Sequence, residues 1–467
     1  RALAAAAPGR PSRNRYKAAV LHRVLRGVEL ERFAAEHPRS RALFDQARGS
    51  LVSGVPMTWM AKWVGGHPVY AKSARGARIE DVDGHPYLDF ALGDPGAMAG
   101  PSPQPTVDAI QRRIGEQGGI TVMLPTEDAA WVGEEMARRF GLPLWSFALT
   151  ATDANRWALR LCRAITRRPY VLVFSHSYHG SVDEAFITLD SDGKPRSRPG
   201  NVGPAVDPTT TTRVAEFNDL AGVEAQLAHG DVAAILTEPA LTNIGIVLPE
   251  PGFMEGLRAL ATKYGALMMI DETHTFSAGP GGATKAWGLR PDIFVIGKSI
   301  GGGIPSGAYG ISREVAAAVS AHPEADLVDV GGVGGTLAGN ALSVAAMRAT
   351  LEHVLTEDAF AHMTALATDF TTGVQDTIDR TGVPWSVSQL GARSEYRFAS
   401  PAPRDGSSSA ASADDQLDEY LHLYLANRGV LITPFHNMAL MCPETSAEDV
   451  ALHTRLFAEA VDELVGR

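Results

Sequence analysis

The chain has 467 residues, 45% hydrophobic and 20% charged, which is enough to bury a large core and to form two or three domains or one large domain with appendages. Lys and Arg total 42 against 53 Asp and Glu, giving −11 with no long basic block, so a nucleic-acid surface is not expected. Cys162 and Cys442 lack CxxC spacing, no 18 apolar residues run together, and RALAAAAPGRPSRNRYK has no signal-peptide core, which argues against a disulfide framework, a metal site and a membrane span and predicts a cytoplasmic protein.

From about residue 15 to 48, Val20, Leu21, Val24 and Leu25, then Phe33, Leu43 and Phe44, recur at helical spacing and predict two short amphipathic helices in a packing arm. GGHPVYAKSARGARIEDVDGHPYLDFA places two alternating runs around the turn Asp83-Gly84, as in a β-meander. From about 105 onward, helical patterns alternate with the short apolar strands WSFALT, YVLVFS, VAAILTEP, ALMMIDE, DIFVIGK and AYGIS. That alternation predicts an α/β fold with a mostly parallel sheet and helices on both faces.

After about 340, ALSVAAMRATLEHVL, a further helix, the alternating WSVSQLGARSEYRFAS, a helix and VLITP read as a smaller α+β domain. Three segments result: an arm and meander over 1–104 that joins the small domain, a large domain over 105–339, and the α+β domain over 340–467. Within the last, ASPAPRDGSSSAASADDQ has almost nothing to bury and is expected to be a flexible surface loop.

Lys298 closes DIFVIGK and opens the loop SIGGGIPSG, and the preceding run, ALMMIDE, ends in Asp271-Glu272. Pyridoxal phosphate needs such a pair: a lysine that forms a Schiff base with its aldehyde, and a carboxylate that keeps its ring nitrogen protonated so that the ring accepts electrons. Two successive buried strands deliver one group each at their carboxyl ends, the edge where open α/β sheets bind ligands. The lysine must be neutral to attack, so burial or nearby positive charge has to lower its pKa. Asp271 would be costly to bury without a cation, a role that a pyridinium fills.

Other strand ends converge on the same edge. LTATDANRWALRLCRAI predicts strand, turn and helix with Ala154, Trp157, Ala158, Leu161 and Ile165 on one face. Its turn would offer backbone N–H groups and the Thr152 hydroxyl to a phosphate, with Asp153 turned away. YVLVFSHSYHG ends in Tyr178, His179 and Gly180, where an aromatic ring can stack on a pyridine. TEPALTNIGIVLPEPGF puts Glu238 and Asn243 at a further strand end, the amide suited to the cofactor's phenolic oxygen. Each feature also has a plain structural reading: a snorkelling lysine, a helix-capping Asp, a core-closing aromatic, a turn-forming Asn. Their coincidence at one edge points to the cofactor.

From about Gly54 onward, VYAKSARGARIEDVDGHPYLDF, HSYHG, EPALTNIGIVLPEPGFMEGLR, IDETHTF, LRPDIFVIGKSIGGGIPSGAYG and GGTLAGN follow one another in an order that resembles the class III, fold-type I, pyridoxal-phosphate-dependent aminotransferases. The likeness is to the branch that includes glutamate-1-semialdehyde aminomutase. It implies a seven-stranded central sheet, Lys298 as the Schiff-base lysine and proton shuttle, Asp271 at the pyridine nitrogen, Tyr178 stacked on the ring with His179 beside it, Asn243 at the phenolic oxygen and Thr273 against the other ring face. Ala151 and Thr152 match the phosphate cup, and Gly335 and Thr336 match the segment that reaches the phosphate from a neighbouring subunit, which implies a homodimer.

Departures from that pattern bear on cofactor and substrate. The cup reads Thr150-Ala151-Thr152-Asp153-Ala154 where the family has Ser-Gly-Ser/Thr-Glu-Ala, and the Cβ of Ala151 restricts the turn. Met60 stands where the aminomutase branch carries a carboxylate-holding arginine, and Met438 where it carries an acidic residue. Trp59, Met60, Phe435 and Met438 are expected to form an apolar pocket for a bulky or aromatic amine, with Arg393, backed by Arg397, as the carboxylate clamp. The resulting expectation is a ping-pong aminotransferase that moves an amino group from an amine or amino acid to a keto acid or ketone. An aminomutase or epimerase is the alternative, and a non-catalytic cofactor-binding regulator a second one.

Overall fold

The structure is a computed structural model that describes residues 13–321 and 332–466. The reading of residues 1–12, and of where Val20 and Leu21 point, lies outside what is described. The arm consists of one long helix, Arg13–Glu36, and a shorter one, Pro38–Ala47, in place of the two short helices expected. The break falls at His37, because the proline that follows disfavours helical backbone there. The long helix lies along a C-terminal helix, Asp415–Ala426, held by an Arg26–Glu419 ion pair of 2.5 Å and by Asn427 donating to Glu29 at 2.7 Å.

The meander comprises β1 (Ala71–Arg75), β2 (Arg78–Asp81) and β3 (Pro86–Asp89). A buried polar knot fixes the arm to it. The Nδ1 of His37 donates to the Phe33 carbonyl at 2.7 Å, its Nε2 meets the Tyr87 hydroxyl at 2.6 Å, and Asp81 accepts from Tyr87 and from the His85 backbone at 3.1 and 2.8 Å. The possible ligand atoms of His37, Asp81 and His85 lie within 4.8 Å of one another, but they are already bonded within the knot.

The large sheet contains β4 (Leu144–Ala148), β5 (Tyr170–Phe174), β8 (Thr212–Ala215), β9 (Val232–Thr237), β10 (Leu267–Asp271), β11 (Ile293–Gly297) and β12 (Gly307–Ile311); a small hairpin, β6 (Ile187–Leu189) with β7 (Pro195–Ser197), precedes β8. Its seven strands are ordered β4-β12-β11-β10-β9-β5-β8, and β12 alone runs against its neighbours. The sheet is therefore the mostly parallel one expected, with β8 as the strand that the apolar pattern did not single out. Every residue of β9 and β11 is buried, because helices cover both faces. The helix Ala151–Thr166 packs through Ala154, Ala158 and Cys162 on one side, and Phe253–Tyr264 through Leu257 and Ala261 on the other. Each large aliphatic side chain so enclosed, Ile270 or Val295 for example, contributes roughly 1.5–3 kcal/mol.

Beyond residue 340 come the helices Ala341–His353 and Glu357–Thr381, then β13 (Ser386–Leu390), β14 (Arg393–Arg397), β15 (Val430–Leu431) and β16 (Met438–Leu440). β13, β14 and β16 form one sheet, while β15 joins β3 in parallel, so that the meander and the C-terminal segment share a sheet. The Ser-rich stretch is not the flexible loop expected. Gly406–Ala411 is a short helix with an Asp405 capping box, Ser407 donates to Glu216 and Ser409 to the Ile244 carbonyl. A Cβ at Gly406 would lie 2.1 Å from the Ser175 carbonyl oxygen. Small residues that bury little apolar area here permit a close backbone approach to the loop after β5. Among the described residues no helix is long and apolar enough to cross a membrane, and both cysteines are free and buried.

Candidate active site

Parallel β10 and β11 bring their carboxyl ends together: Asp271 is the last residue of β10 and pairs with Val295, and Lys298 follows directly on β11. Lys298 has φ +54°, a left-handed backbone that an L-residue adopts at a cost and that the packing around it holds. Its Nζ donates to the Asp94 carbonyl at 2.5 Å and lies 2.9 Å from His274 Nε2. Burial lowers the pKa of this amine; Asp94 opposes that and Arg393 adds to it.

Asp271 is buried with two donors on one oxygen, Asn155 Nδ2 at 2.8 Å and His179 Nδ1 at 3.0 Å, and the Thr273 N–H on the other at 3.0 Å. Burial alone would raise this carboxyl, but His179 and the hydrogen bonds outweigh it and keep it low, so it is ionised. His179 Nε2 and Thr273 Oγ1 remain buried without partners. The neighbouring Glu272 does something different. It accepts from Thr275, Ala283 and Thr284 and so ties the turn after β10 to the short helix Gly282–Ala286.

The turn after β4 is capped by Thr150, whose hydroxyl accepts from the Asp153 N–H and donates to the Asp153 carboxylate at 3.0 Å. That leaves the first-turn N–H groups of Ala151 and Thr152 without an intrahelical acceptor at the positive end of a 16-residue helix. The turn touches the other strand ends. Thr152 Oγ1 accepts from the Ser181 N–H at 3.0 Å, a Cβ on Gly180 (φ +76°) would fall 2.1 Å from that oxygen, and a Cβ on Gly297 would fall 3.0 Å from the Ala151 nitrogen. Glycine is needed at 180 for both its backbone and its space.

Tyr178 is part-exposed and meets Phe186 edge-on at 6.1 Å. Asn243 donates to the His176 carbonyl at 3.1 Å. Glu238 accepts from Thr242, and burial, its largest influence, pushes its carboxyl up to about 7. The Arg393 guanidinium is fully buried: Nη1 reaches His274 Nδ1 at 3.1 Å, Nη2 donates to the Thr242 carbonyl at 3.2 Å, and Nε has no partner. Asp94 and Glu395 stand 3.7 and 3.8 Å from it. Arg397 is spent on Ser409 and Ser412.

Lys298, Arg393 and Glu238 are thus joined through His274 and Thr242, while His179 and Thr273 meet on Asp271, whose charge is felt at Lys298 and Glu238. Trp59 and Phe435, 41% and 43% exposed, meet edge-on with ring centroids 6.3 Å apart, and Met60, next to Trp59 in sequence, is half-buried. Met438 instead is fully enclosed in the core on β16. Gly335 and Thr336 are exposed. Three site residues escaped the sequence reading. Asn155 lies on the helix face of Ala158, Leu159 and Cys162, and a polar residue on an apolar stripe was a usable signal. Asp94 sits in a Gly-Asp-Pro-Gly turn and His274 between two threonines, where nothing local marks them.

The family described as aminotransferase class-III matches residues 59–460. A glutamate-1-semialdehyde 2,1-aminomutase of Roseiflexus castenholzii is 33% identical over 402 residues, 85% of this chain and 90% of that protein. Among solved structures, a glutamate-1-semialdehyde-aminomutase from Pseudomonas aeruginosa PAO1 in complex with PMP is 49% identical, covers 96% of this chain and 99% of its own, and superposes with a TM-score of 0.93. An omega-transaminase from Sphaerobacter thermophilus is 27% identical with a TM-score of 0.81 over 91% of this chain and 97% of its own.

Proposed function

Because the chain belongs to the class III aminotransferase family, a family of fold-type I, pyridoxal-phosphate-dependent enzymes, we propose that it is an aminotransferase moving an amino group from an amine or amino acid to a keto acid or ketone. The observation that carries this reading is the run Lys298–His274–Arg393, in which one imidazole separates an amine able to move protons from a guanidinium with an unpartnered Nε–H. The residues fit the cofactor. An ionised carboxylate with fixed donors would suit a protonated ring nitrogen; His179 and Thr273, which bond that carboxylate, keep Nε2 and Oγ1 unpaired; and a capped helix N-terminus adjoins Lys298 through Gly297.

When bound, pyridoxal phosphate supplies an aldehyde that captures amines and a protonated ring that draws electrons from the substrate carbon. Asp271, oriented by Asn155 and His179, would hold the proton on the ring nitrogen. Ala151 and Thr152 would hold the phosphate by first-turn N–H groups and the Thr152 hydroxyl. Tyr178 and Thr273 would bound the ring faces, with Asn243 near the phenolic oxygen and Glu238 beneath. Lys298 Nζ would take a proton from the substrate carbon and return it elsewhere as general base and acid. Arg393 would bind a carboxylate through Nε, and Trp59, Met60 and Phe435 would shelter an apolar side group. The first product leaves before the second substrate enters, so the kinetics are ping-pong.

We divide the chain into a large domain at 105–339 and a small one built from 1–104 and 340–467, supported by the sheet that joins β3 to β15. A cytoplasmic homodimer is the expected form, with exposed Gly335 and Thr336 free to reach a neighbour.

Aminomutase activity is the second reading, favoured by the names of the 33% and 49% identical relatives. Absorbance decides between them. With 1-phenylethylamine, alanine, glutamate or β-amino acids as donors, the cofactor band at about 420 nm should bleach to about 330 nm and return on adding a keto acid, with the acceptor consumed. Turnover of glutamate-1-semialdehyde without acceptor consumption would establish the aminomutase reading instead.

A further inference from the structure

His274 Nδ1 faces Arg393 Nη1 at 3.1 Å, and its Nε2 faces Lys298 Nζ at 2.9 Å. A guanidinium donates and never accepts, so Nδ1 is the acceptor of the first contact. A neutral imidazole with its Nδ1 lone pair so used carries its proton on Nε2 and donates it to Lys298. The lysine can accept only as a free amine. It then has two N–H bonds left, one of which goes to the Asp94 carbonyl at 2.5 Å. A protonated Lys298 would instead need a lone pair on Nε2 and a proton on Nδ1, which would point N–H against N–H at Arg393.

We infer that His274 is a positioning residue that holds Lys298 as a free amine, its tautomer dictated by Arg393. The inference rests on the cofactor reading above. It concerns the states in which Lys298 is uncoupled from the cofactor, before loading and after the substrate amine has displaced it, when the amine must have a lone pair to attack or to take up a proton. The groups facing this chain are Asp94 from the loop after β3, Glu238 beyond β9, Asp271 at the end of β10 and Arg393 on β14; His436 adds its field at Asp94. Burial and the positive neighbours push His274 well below the usual imidazole range and lower Lys298, against the pull of Asp94. Both directions agree with the hydrogen-bond logic.

The test uses the full-length chain freed of cofactor. Trace acetylation across pH, read by mass spectrometry, gives the midpoint at which Lys298 becomes reactive. Stopped-flow addition of pyridoxal phosphate gives the rate at which Nζ condenses with the aldehyde, forming C=N and releasing water. His274→Leu removes the donor but keeps the site dry, and its midpoint should rise by about one unit, with condensation at neutral pH about tenfold slower. His274→Gln can accept from Arg393 and donate to Lys298 through one amide, and it should restore the wild-type midpoint.

Equal midpoints in wild type and His274→Leu would overturn the inference. So would a wild-type Lys298 that titrates with the surface lysines, a result that needs no variant to fold, or a His274→Gln midpoint matching His274→Leu. If wild-type protein gives no band that Lys298→Ala abolishes, the cofactor reading fails instead, while the acetylation midpoints still report on His274.

Discussion

The knot around His37 and the cluster around Lys298 are both buried, polar and assembled from distant segments, yet they use their hydrogen-bonding groups differently. In the knot, both His37 nitrogens, both Asp81 oxygens and the Tyr87 hydroxyl are paired among themselves or with backbone. At the sheet edge, Asp94 Oδ1, Asn155 Oδ1, His179 Nε2, Thr273 Oγ1, Arg393 Nε and Glu395 Oε2 are buried without hydrogen-bond partners, although Asp94 and Glu395 stand beside the Arg393 charge. A buried polar group left unpaired costs about 1–3 kcal/mol, so such atoms gathered in one place point to a ligand that pairs them. His453 also lacks partners, but it is alone among Phe90, Phe370 and Phe457. Unpaired polar atoms gathered around Asp271 and Arg393, rather than burial or charge, distinguish this cluster from the knot.

The largest effect is expected from Lys298→Ala. If Lys298 carries the proposed proton transfer, the substitution should slow the amine half-reaction at least about a thousandfold without lowering the thermal midpoint, measured by single-turnover absorbance and by unfolding. A residual rate within tenfold of wild type would move the chemistry away from this cluster. Asp271→Asn comes next. It keeps the size and a partner for His179 but not the charge, and the half-reaction should fall about 10²–10³-fold with cofactor still bound.

Glu238 ties the stability of the sheet edge to pH. Its carboxyl is pushed up to about 7 in the fold from 4.5. Below pH 4.5 both folded and unfolded chains hold the proton and the full stability is present. Between 4.5 and about 7 only the unfolded chain releases it, so stability falls, on the order of 3 kcal/mol in all, and the loss is complete above the folded pKa. Glu238→Gln should remove this slope, which denaturant unfolding at pH 5 and pH 8 would reveal. In the knot, Tyr87→Phe should cost about 1–2 kcal/mol and leave the half-reaction rate unaltered. A kinetic effect there would mean that the knot reaches the site.

How much was legible follows from the same physics. β9, β10 and β11 were readable because strands covered on both faces are continuous apolar runs, and the groups that follow them were then assigned to one edge. β8, TRVA beside a threonine run, carries too little apolar pattern to stand out. The Ser-rich stretch misled because composition measures apolar burial, whereas Gly406 and Ser409 are buried by backbone approach and hydrogen bonds. Asp94 and His274 gain their meaning only from Lys298 and Arg393, which lie far from Asp94 along the chain, and no local pattern encodes such a meeting.

The smallest expected effect lies at the rim. Trp59 and Phe435 were grouped with Met438 as one apolar pocket, but the two rings are part-exposed and touch edge-on, while Met438 is enclosed in the core. Their substitutions should therefore separate. Phe435→Ala removes an aromatic contact of about 0.5–1.5 kcal/mol from a surface that solvent already reaches, so stability should barely change. If the pair shelters a bulky amine, KM for 1-phenylethylamine should rise roughly two- to tenfold while KM for alanine stays fixed, because alanine has no side group to place there. An equal rise for both donors would mean that Phe435 acts on the loop bearing His436 rather than on substrate, and a change in thermal midpoint would return it to the core with Met438.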